Sequence, residues 1–274
     1  MGIINKILYN TLSQRNYLKF LNSSFLSLYK TGLLKGNAKY RYHYFAKNFV
    51  SPGDTVIDLG ANLGYYSNLL QAWVGASGKL YAVEPVIPFN EILQWRLKNK
   101  KHVTIYPYAL GTEEKDITLV IPKNLSYLST GLPNVYDSNS HGSLDEYGFK
   151  FEAKMKRGSE LFKNLDRLDF VKCDIEGYEE YVFPEMKPVF EKHKPIIQVE
   201  TWGPHKKVVE DFLTGIGYNQ YHLANGKLIS TNKQDDTTVV DFIFIHPANA
   251  KAVEKTRSLI GKVLSFSAAM RSFS

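Results

Sequence analysis

Residues Thr55 to Pro85 restrict the architecture more than any other stretch of this chain. Thr55 to Leu59 is a short apolar run between Pro52-Gly53 and a glycine turn, the pattern of a strand buried in a parallel sheet. Gly60, Asn62 and Gly64 shape the turn, and Tyr65 to Trp73 carries the helical pattern that follows. Glycine in such a turn removes the Cβ that would keep a ligand away from the backbone. Leu80 to Val83 is a second apolar strand ending in Glu84, 20 positions beyond Gly64. An acid at the tip of a second strand can accept two hydrogen bonds from a ribose diol. The unit is strand, helix, strand, and its expected ligand is a nucleoside; the alternative is a tight turn with Glu84 solvated.

Asp58 narrows the choice of nucleoside. In a dinucleotide fold the glycines serve a pyrophosphate, which an acid in that loop would repel. S-adenosylmethionine instead brings a sulfonium, an ammonium and no phosphate. The turn Asp58-Leu-Gly60-Ala61-Asn62-Leu-Gly64 and the later Lys172-Cys-Asp-Ile-Glu-Gly-Tyr-Glu179 resemble the FkbM-type methyltransferases over roughly residues 38–246. The resemblance implies an α/β, Rossmann-like class I methyltransferase: a doubly wound, mostly parallel seven-stranded sheet whose last strand is antiparallel. It implies S-adenosylmethionine as cofactor, held by Asp58, Gly60, Ala61, Asn62, Gly64, Tyr65, Glu84, Pro85, Ala109 and Asp174.

Charge is unevenly placed. Residues 1–53 hold eight Lys or Arg and no acid, and residues 251–274 hold five against Glu254 alone. The middle is left mildly acidic, which argues against nucleic acid as a partner, since that needs a basic face on the working domain. The expected organisation is a basic helical extension over 1–37, a methyltransferase domain over 38–250 with an insert or lid at about 112–165, and a basic helical tail over 251–274. The extension reads as roughly helical, broken near Asn22-Ser-Ser24, and either caps the domain or docks on a membrane surface. No run is long and apolar enough to span a bilayer, no secretory signal is visible, and the lone Cys173 fits a reducing compartment. The expected location is cytoplasmic, with the basic ends available for peripheral contact at the inner membrane surface.

Beyond the second strand, Pro88 to Asn99 reads as a helix and Val103 to Pro107 as a strand, with Tyr108 to Gly111 at its ligand-bearing end. Ile117 to Ile121 and Phe149 to Met155 alternate as strands, the latter pairing outside the main sheet. Residues 123–148 between them are irregular, with the look of a substrate loop, and carry Tyr127, Tyr136, Asp137, His141 and Tyr147. Leu168 to Asp174 and Pro195 to Glu200 are the fourth and fifth strands, and Val239 to His246 the last.

Methyl transfer to a hydroxyl needs alignment and a base. The acids at the ends of the fourth and fifth strands, Asp174, Glu176 and Glu200, are the candidates, with His205 as a substitute. A helix cap is the alternative for Asp174. No spacing demands a metal, and Cys173 reads as a core thiol. The expected activity is O-methylation of a sugar, glycan or related small molecule, with Trp202 and the insert tyrosines as stacking faces. The alternatives are an NAD(P)-dependent reductase or epimerase, which lacks here a Tyr-x-x-x-Lys pair, and a non-catalytic, membrane-docked nucleoside-binding module.

Overall fold

The computed structural model describes residues 2–122, 128, 130, 133–137, 142–231 and 239–261. Tyr127, His141 and tail residues 262–274 lie outside the described residues. Helices α1 (Gly2–Thr11) and α2 (Gln14–Lys30) lead into the short α3 (Arg41–Phe45). The first half-sheet then runs β1 (Thr55–Leu59), α4 (Tyr65–Val74), β2 (Lys79–Val83), α5 (Ile87–Leu97) and β3 (Val103–Tyr106). The insert holds β4 (Tyr108–Gly111), β5 (Lys115–Pro122), β6 (Asn134–Val135), β7 (Tyr147–Arg157) and α6 (Gly158–Leu161). The second half comprises β8 (Phe170–Cys173), α7 (Glu179–Glu185), α8 (Lys187–His193), β9 (Ile196–Glu200) and α9 (Gly203–Gly215). It closes with β10 (Asn219–Ala224), β11 (Lys227–Ser230), β12 (Asp241–Ile245) and α10 (Ala250–Thr256).

The main sheet has the order β11-β10-β12-β9-β8-β1-β2-β3. β3, β2, β1, β8 and β9 are parallel, and β12 enters antiparallel between β9 and β10. The seven expected strands are present, and the Asn225-Gly226 turn adds β11 as an eighth, at the edge. Both turn residues have positive φ (50° and 71°), the geometry of a tight hairpin.

Alternation along the strands divides the core. Ile57, Leu59, Val171, Cys173, Ile197 and Val199 face a layer built by α7, α8 and α9. Val56, Phe170, Ile196 and Ile243 face the layer of α4 and α10. Burial on both faces is why these strands read as continuous apolar runs. The insert forms its own sheet, β4-β7-β5-β6, in which β7 pairs antiparallel with β5 outside the main sheet. Tyr108 to Gly111 is not a strand terminus but a strand of this second sheet, paired with β7.

The two basic ends are packed onto the domain where they are described. α2 runs without the break expected at Asn22-Ser-Ser24. The polar side chains that would compete with the helix backbone find partners on the domain instead. Buried Asn22 donates from Nδ2 to the Leu63 carbonyl (2.7 Å) and accepts from Arg96 Nε (2.7 Å), while Arg96 also donates to Ser23 Oγ (2.6 Å). Tyr17 and Leu18 share a core cluster with Leu63, Val86, Phe89 and Ile92. At the other end, Lys251 and Lys255 ion-pair with buried Asp54 at 2.7 and 3.0 Å. No helix among the described residues is long and apolar enough to cross a membrane.

Asn22→Ala should strand the Leu63 carbonyl and Arg96, costing about 1–3 kcal/mol of stability as buried polar groups lose their partner. Urea denaturation checks this; an unchanged midpoint would mean that α2 rests loosely on the domain.

Candidate functional site

The chain winds outward from β1 to β3, then returns to place β8 on the other side of β1. That reversal opens a crevice at the carboxyl ends of β1 and β8, where ligands of open α/β sheets bind. Gly60 and Asp174 meet there. Gly60 has φ +75°, and a Cβ on it would fall 1.8 Å from the Asp174 carbonyl oxygen. A Cβ on Gly64 (φ +88°) would fall 2.7 Å from Leu93 Cδ1. These two glycines answer to neighbouring elements of the fold, whereas the turn pattern alone pointed to ligand approach.

The turn is tied to the second strand by its backbone. Gly60 and Ala61 both donate to the Val83 carbonyl, at 3.1 and 2.9 Å. Asn62, also left-handed (φ 53°), donates from its backbone N to Glu84 Oε2 (2.7 Å). Glu84 Oε1 accepts from Val86 N (2.8 Å). The carboxylate is only 4% exposed, and burial pushes it up to about 7 although both N–H groups favour its charged form. Each oxygen still has a lone pair for a hydroxyl donor. Asn62 Nδ2 reaches across to the Thr130 carbonyl of the insert.

A cavity opens beside this turn. Gly60, Asn62, Glu84, Pro85, Ala109, Asp174 and Glu176 of the expected site residues line it. Val86, Phe89, Leu110 and Leu119 give it an apolar wall, and Thr130, Pro133 and Val135 bring the insert against it. Asp58, Ala61, Gly64, Tyr65 and Glu200 do not line it. Asp58 lies beneath, fully buried; its Oδ2 accepts from Ser67 Oγ (2.5 Å) while its Oδ1 has no partner. Burial raises its pKa against the pull of Lys172 and Ser67. Gly64 is the N-cap of α4, and the Tyr65 phenol bonds to Thr130.

Carboxyl groups gather along the strand ends around one buried cation. Lys172 Nζ is 3.1 Å from Asp174 Oδ2 and 5.2 Å from the Tyr66 ring centroid. Burial would lower its pKa, but Asp174, Asp58 and Glu200 together hold it above the ordinary lysine range. Glu176 has φ 56°, an uncommon conformation for a residue with a side chain. Burial, then Asp174 and Glu200, push it up to about 8. Glu200 is raised by burial and by Asp174, and it pairs across strands with Asp241. Asp241 is itself pushed up to about 7 by burial and Glu200.

Asp241 and His43 are members of this edge not singled out from sequence, and Lys172 stood there only as the first residue of the Lys172–Glu179 motif. Lys172 left a trace, as a charge inside a buried run. His43 stacks on Tyr66 (4.1 Å) and is held neutral, near 3, by burial and by Lys172 and Lys39. His205 lies against Gly177, next to Glu176, where a Cβ would fall 3.2 Å from its ring, and its Nδ1 is 2.9 Å from Glu180 Oε1. Cys173 is fully buried and its thiol is pushed well up by burial, so it is a core residue. Among the described residues no group of three His, Cys, Asp or Glu is arranged to hold a metal.

The family model of the methyltransferase FkbM domain matches residues 58–220. Among solved structures, the methyltransferase FkbM from Methylobacillus flagellatus KT is 15% identical with a TM-score of 0.44, covering 70% of this chain and 43% of that one. This chain therefore spans less than half of that protein. An S-adenosylmethionine-dependent O-methyltransferase from Thermotoga maritima is 14% identical (TM-score 0.41; 76% of this chain, 64% of that one). An rRNA methylase from Streptococcus thermophilus is 9% identical (TM-score 0.41; 74% and 92%). No curated protein matches the chain.

The raised carboxyls fix a pH dependence. Glu84, Glu176 and Asp241 keep their protons in the folded chain at pH values where the unfolded chain has lost them. The folded state binds more protons between about pH 4 and the folded pKa values, so stability falls as pH rises through that window. The melting temperature of the ligand-free protein should decline from about pH 5 to about pH 8, and Glu176→Gln should flatten the upper part of that decline. Superimposable profiles for the two proteins would contradict the assignment.

Proposed function

Because the chain belongs to the FkbM family of S-adenosylmethionine-dependent methyltransferases, we propose that it methylates a hydroxyl of a sugar, glycan or related small metabolite. The cavity fits the cofactor by chemistry. Glu84 offers two acceptor oxygens to a ribose diol, and Val86, Phe89, Ala109 and Leu119 offer apolar contact to an adenine. Asp174 lines the same space and Asp58 lies beneath it, an acidic setting that suits an ammonium and a sulfonium. When bound, S-adenosylmethionine supplies an electrophilic methyl on an excellent leaving group.

The remaining work falls to the chain's own side chains. Holding the acceptor in line is worth roughly 7–11 kcal/mol when the geometry is good. The observation that carries the reading is Glu176, a strained carboxyl on the cavity wall whose proton affinity is raised to about 8. Such a group accepts a hydroxyl proton far better than an ordinary carboxylate. Asp174, committed to Lys172, is assigned to orienting the cofactor, and Glu200 to sustaining the proton affinity of Glu176. Backbone strain at Glu176 fits a functional role, since such conformations cluster at active sites.

S-adenosylmethionine, and not a nicotinamide dinucleotide, should raise the melting temperature, by the equivalent of about 2.7 kcal/mol at a hundredfold excess over Kd. Glu176→Gln should lower turnover on a sugar acceptor by roughly two to four orders of magnitude. It should also remove a rise in rate with pH centred near 8, leaving cofactor affinity little changed. Asp174→Asn should instead weaken cofactor binding together with rate. A Glu176→Gln enzyme with normal turnover would exclude it as the base.

A further inference from the structure

A second cavity, of about 460 Å³, lies on the same edge of the sheet, between α3 and the β10–β11 turn. Its walls include Lys35, Arg41, Tyr44, Phe45, Asn48 and Asn225. From the two cations, the aromatic faces and the amides, we propose that it is a subsite for an anionic group, a phosphate or a carboxylate, carried by the acceptor. The proposal rests on the acceptor being a sugar or glycan, as argued above, and narrows it to an acidic one.

Both walls are fixed in place. The Tyr44 ring stacks on Tyr29 (4.2 Å, 12° between planes), and its hydroxyl donates to the Tyr29 carbonyl (2.9 Å). Asn48 Nδ2 donates to the Phe45 carbonyl (2.9 Å). Tyr42 bolts the two sides together: its hydroxyl donates to the Asp241 carbonyl (2.7 Å) and accepts from Leu223 N (2.8 Å). Leu223 also lines the cavity. Among the described residues neither Lys35 nor Arg41 has a carboxylate partner; Lys35 Nζ lies 5.9 Å from the Tyr44 ring centroid. Two cations left unpaired beside rigid aromatic walls are poised for an outside anion, with Arg able to engage it bidentately.

Its position gives this chemistry a purpose. β10 is parallel to β9, since both are antiparallel to β12. The end of β10 at Leu223 therefore sits on the edge that carries Asp241, Glu200 and Asp174. From β10 to β8 is three strand spacings, roughly 14 Å at about 4.8 Å each. α3 spans the interval, with His43 against Tyr66 on the acid side and Arg41 and Tyr44 on the cavity side. An anion would be disfavoured beside Asp174, whose lysine partner is already engaged, and held by Lys35 and Arg41. A neutral hydroxyl would be accepted at the acids. The edge thus orients an acceptor with a hydroxyl at one end and a negative charge at the other.

The test begins with binding, measured by calorimetry on the full chain with and without S-adenosylmethionine. Glucose 1-phosphate, glucuronate and glucose are the probes. Either anionic probe should bind more tightly than glucose, and added salt should weaken it; which of the two binds better identifies phosphate or carboxylate. The double variant Lys35→Gln/Arg41→Gln should lose at least about tenfold in that affinity, as charge-assisted bonds are lost. Its melting shift with S-adenosylmethionine should match the parent's, which shows that the fold and the cofactor site are intact. Arg41→Lys, keeping the charge, should retain an intermediate affinity. With an acceptor in hand, the double variant should raise KM and leave kcat alone. Equal binding of glucose and the anionic probes, or anion binding unaffected by the double variant, would overturn the subsite. A missing S-adenosylmethionine shift with anion binding intact would count against the methyltransferase reading alone.

Discussion

Two strand ends approach so closely at Gly60 and Asp174 that no side chain fits between them. That contact follows from the order of the sheet, because β1 and β8 diverge in their onward connections yet run side by side to their tips. It forces a left-handed turn after β1, which points the Gly60 and Ala61 amides at the Val83 carbonyl and the Asn62 amide at Glu84. Glu84 holds a second amide, from Val86 at the start of the next crossover. One carboxylate therefore fixes the spacing between the glycine turn and the second strand tip. Glu84 is first a structural clamp, with its remaining lone pairs preorganised by the bonds already made.

The electrostatics of the edge rest on a similar economy. Lys172 is the buried cation about which Asp58, Asp174 and Glu200 are arranged, and without it their mutual repulsion would be uncompensated. Its charge serves Asp174 directly, at 3.1 Å. Glu176 and Asp241 are buried beside further carboxyls, and both hold their protons more tightly in spite of its pull. Burial and neighbouring like charge thus outweigh the pull of one ammonium at Glu176 and Asp241, a general route to a raised carboxyl.

Much of this was legible in the sequence, for physical reasons. Thr55 to Leu59 and Ile196 to Val199 read as strands because both faces are covered, and Phe149 to Met155 because alternation survives where only one face is. Glu84 was found from its distance beyond the glycine turn, a spacing set by one crossover helix. β4 was not legible, since Tyr108 to Gly111 becomes a strand only through parallel pairing with β7, more than forty residues away. Asp241 was missed for the same kind of reason. It joins the site because β12 enters antiparallel and brings its first residue beside Glu200. The apparent break at Asn22-Ser-Ser24 misled because local composition cannot reveal that Leu63 and Arg96 wait on the domain to receive those side chains.

The N-terminal cap accounts for the remaining logic of the edge. An open α/β sheet leaves the carboxyl ends of its strands exposed to water, which would screen the charges gathered there. Here α2 seals the glycine turn through Asn22, and α3 lays Tyr42 and His43 over the acids. A charged His43 beside Lys172 would add repulsion in a desolvated space. Burial and the lysines keep the ring neutral, so it covers the edge with a polar but uncharged surface. The acids stay partly desolvated, which raises their proton affinity, while Lys35 and Arg41 line the separate cavity on the other side of α3. Two cations of the extension thereby stand across a short interval from the acidic strand ends, and a chain of net charge +7 presents one edge with two signs.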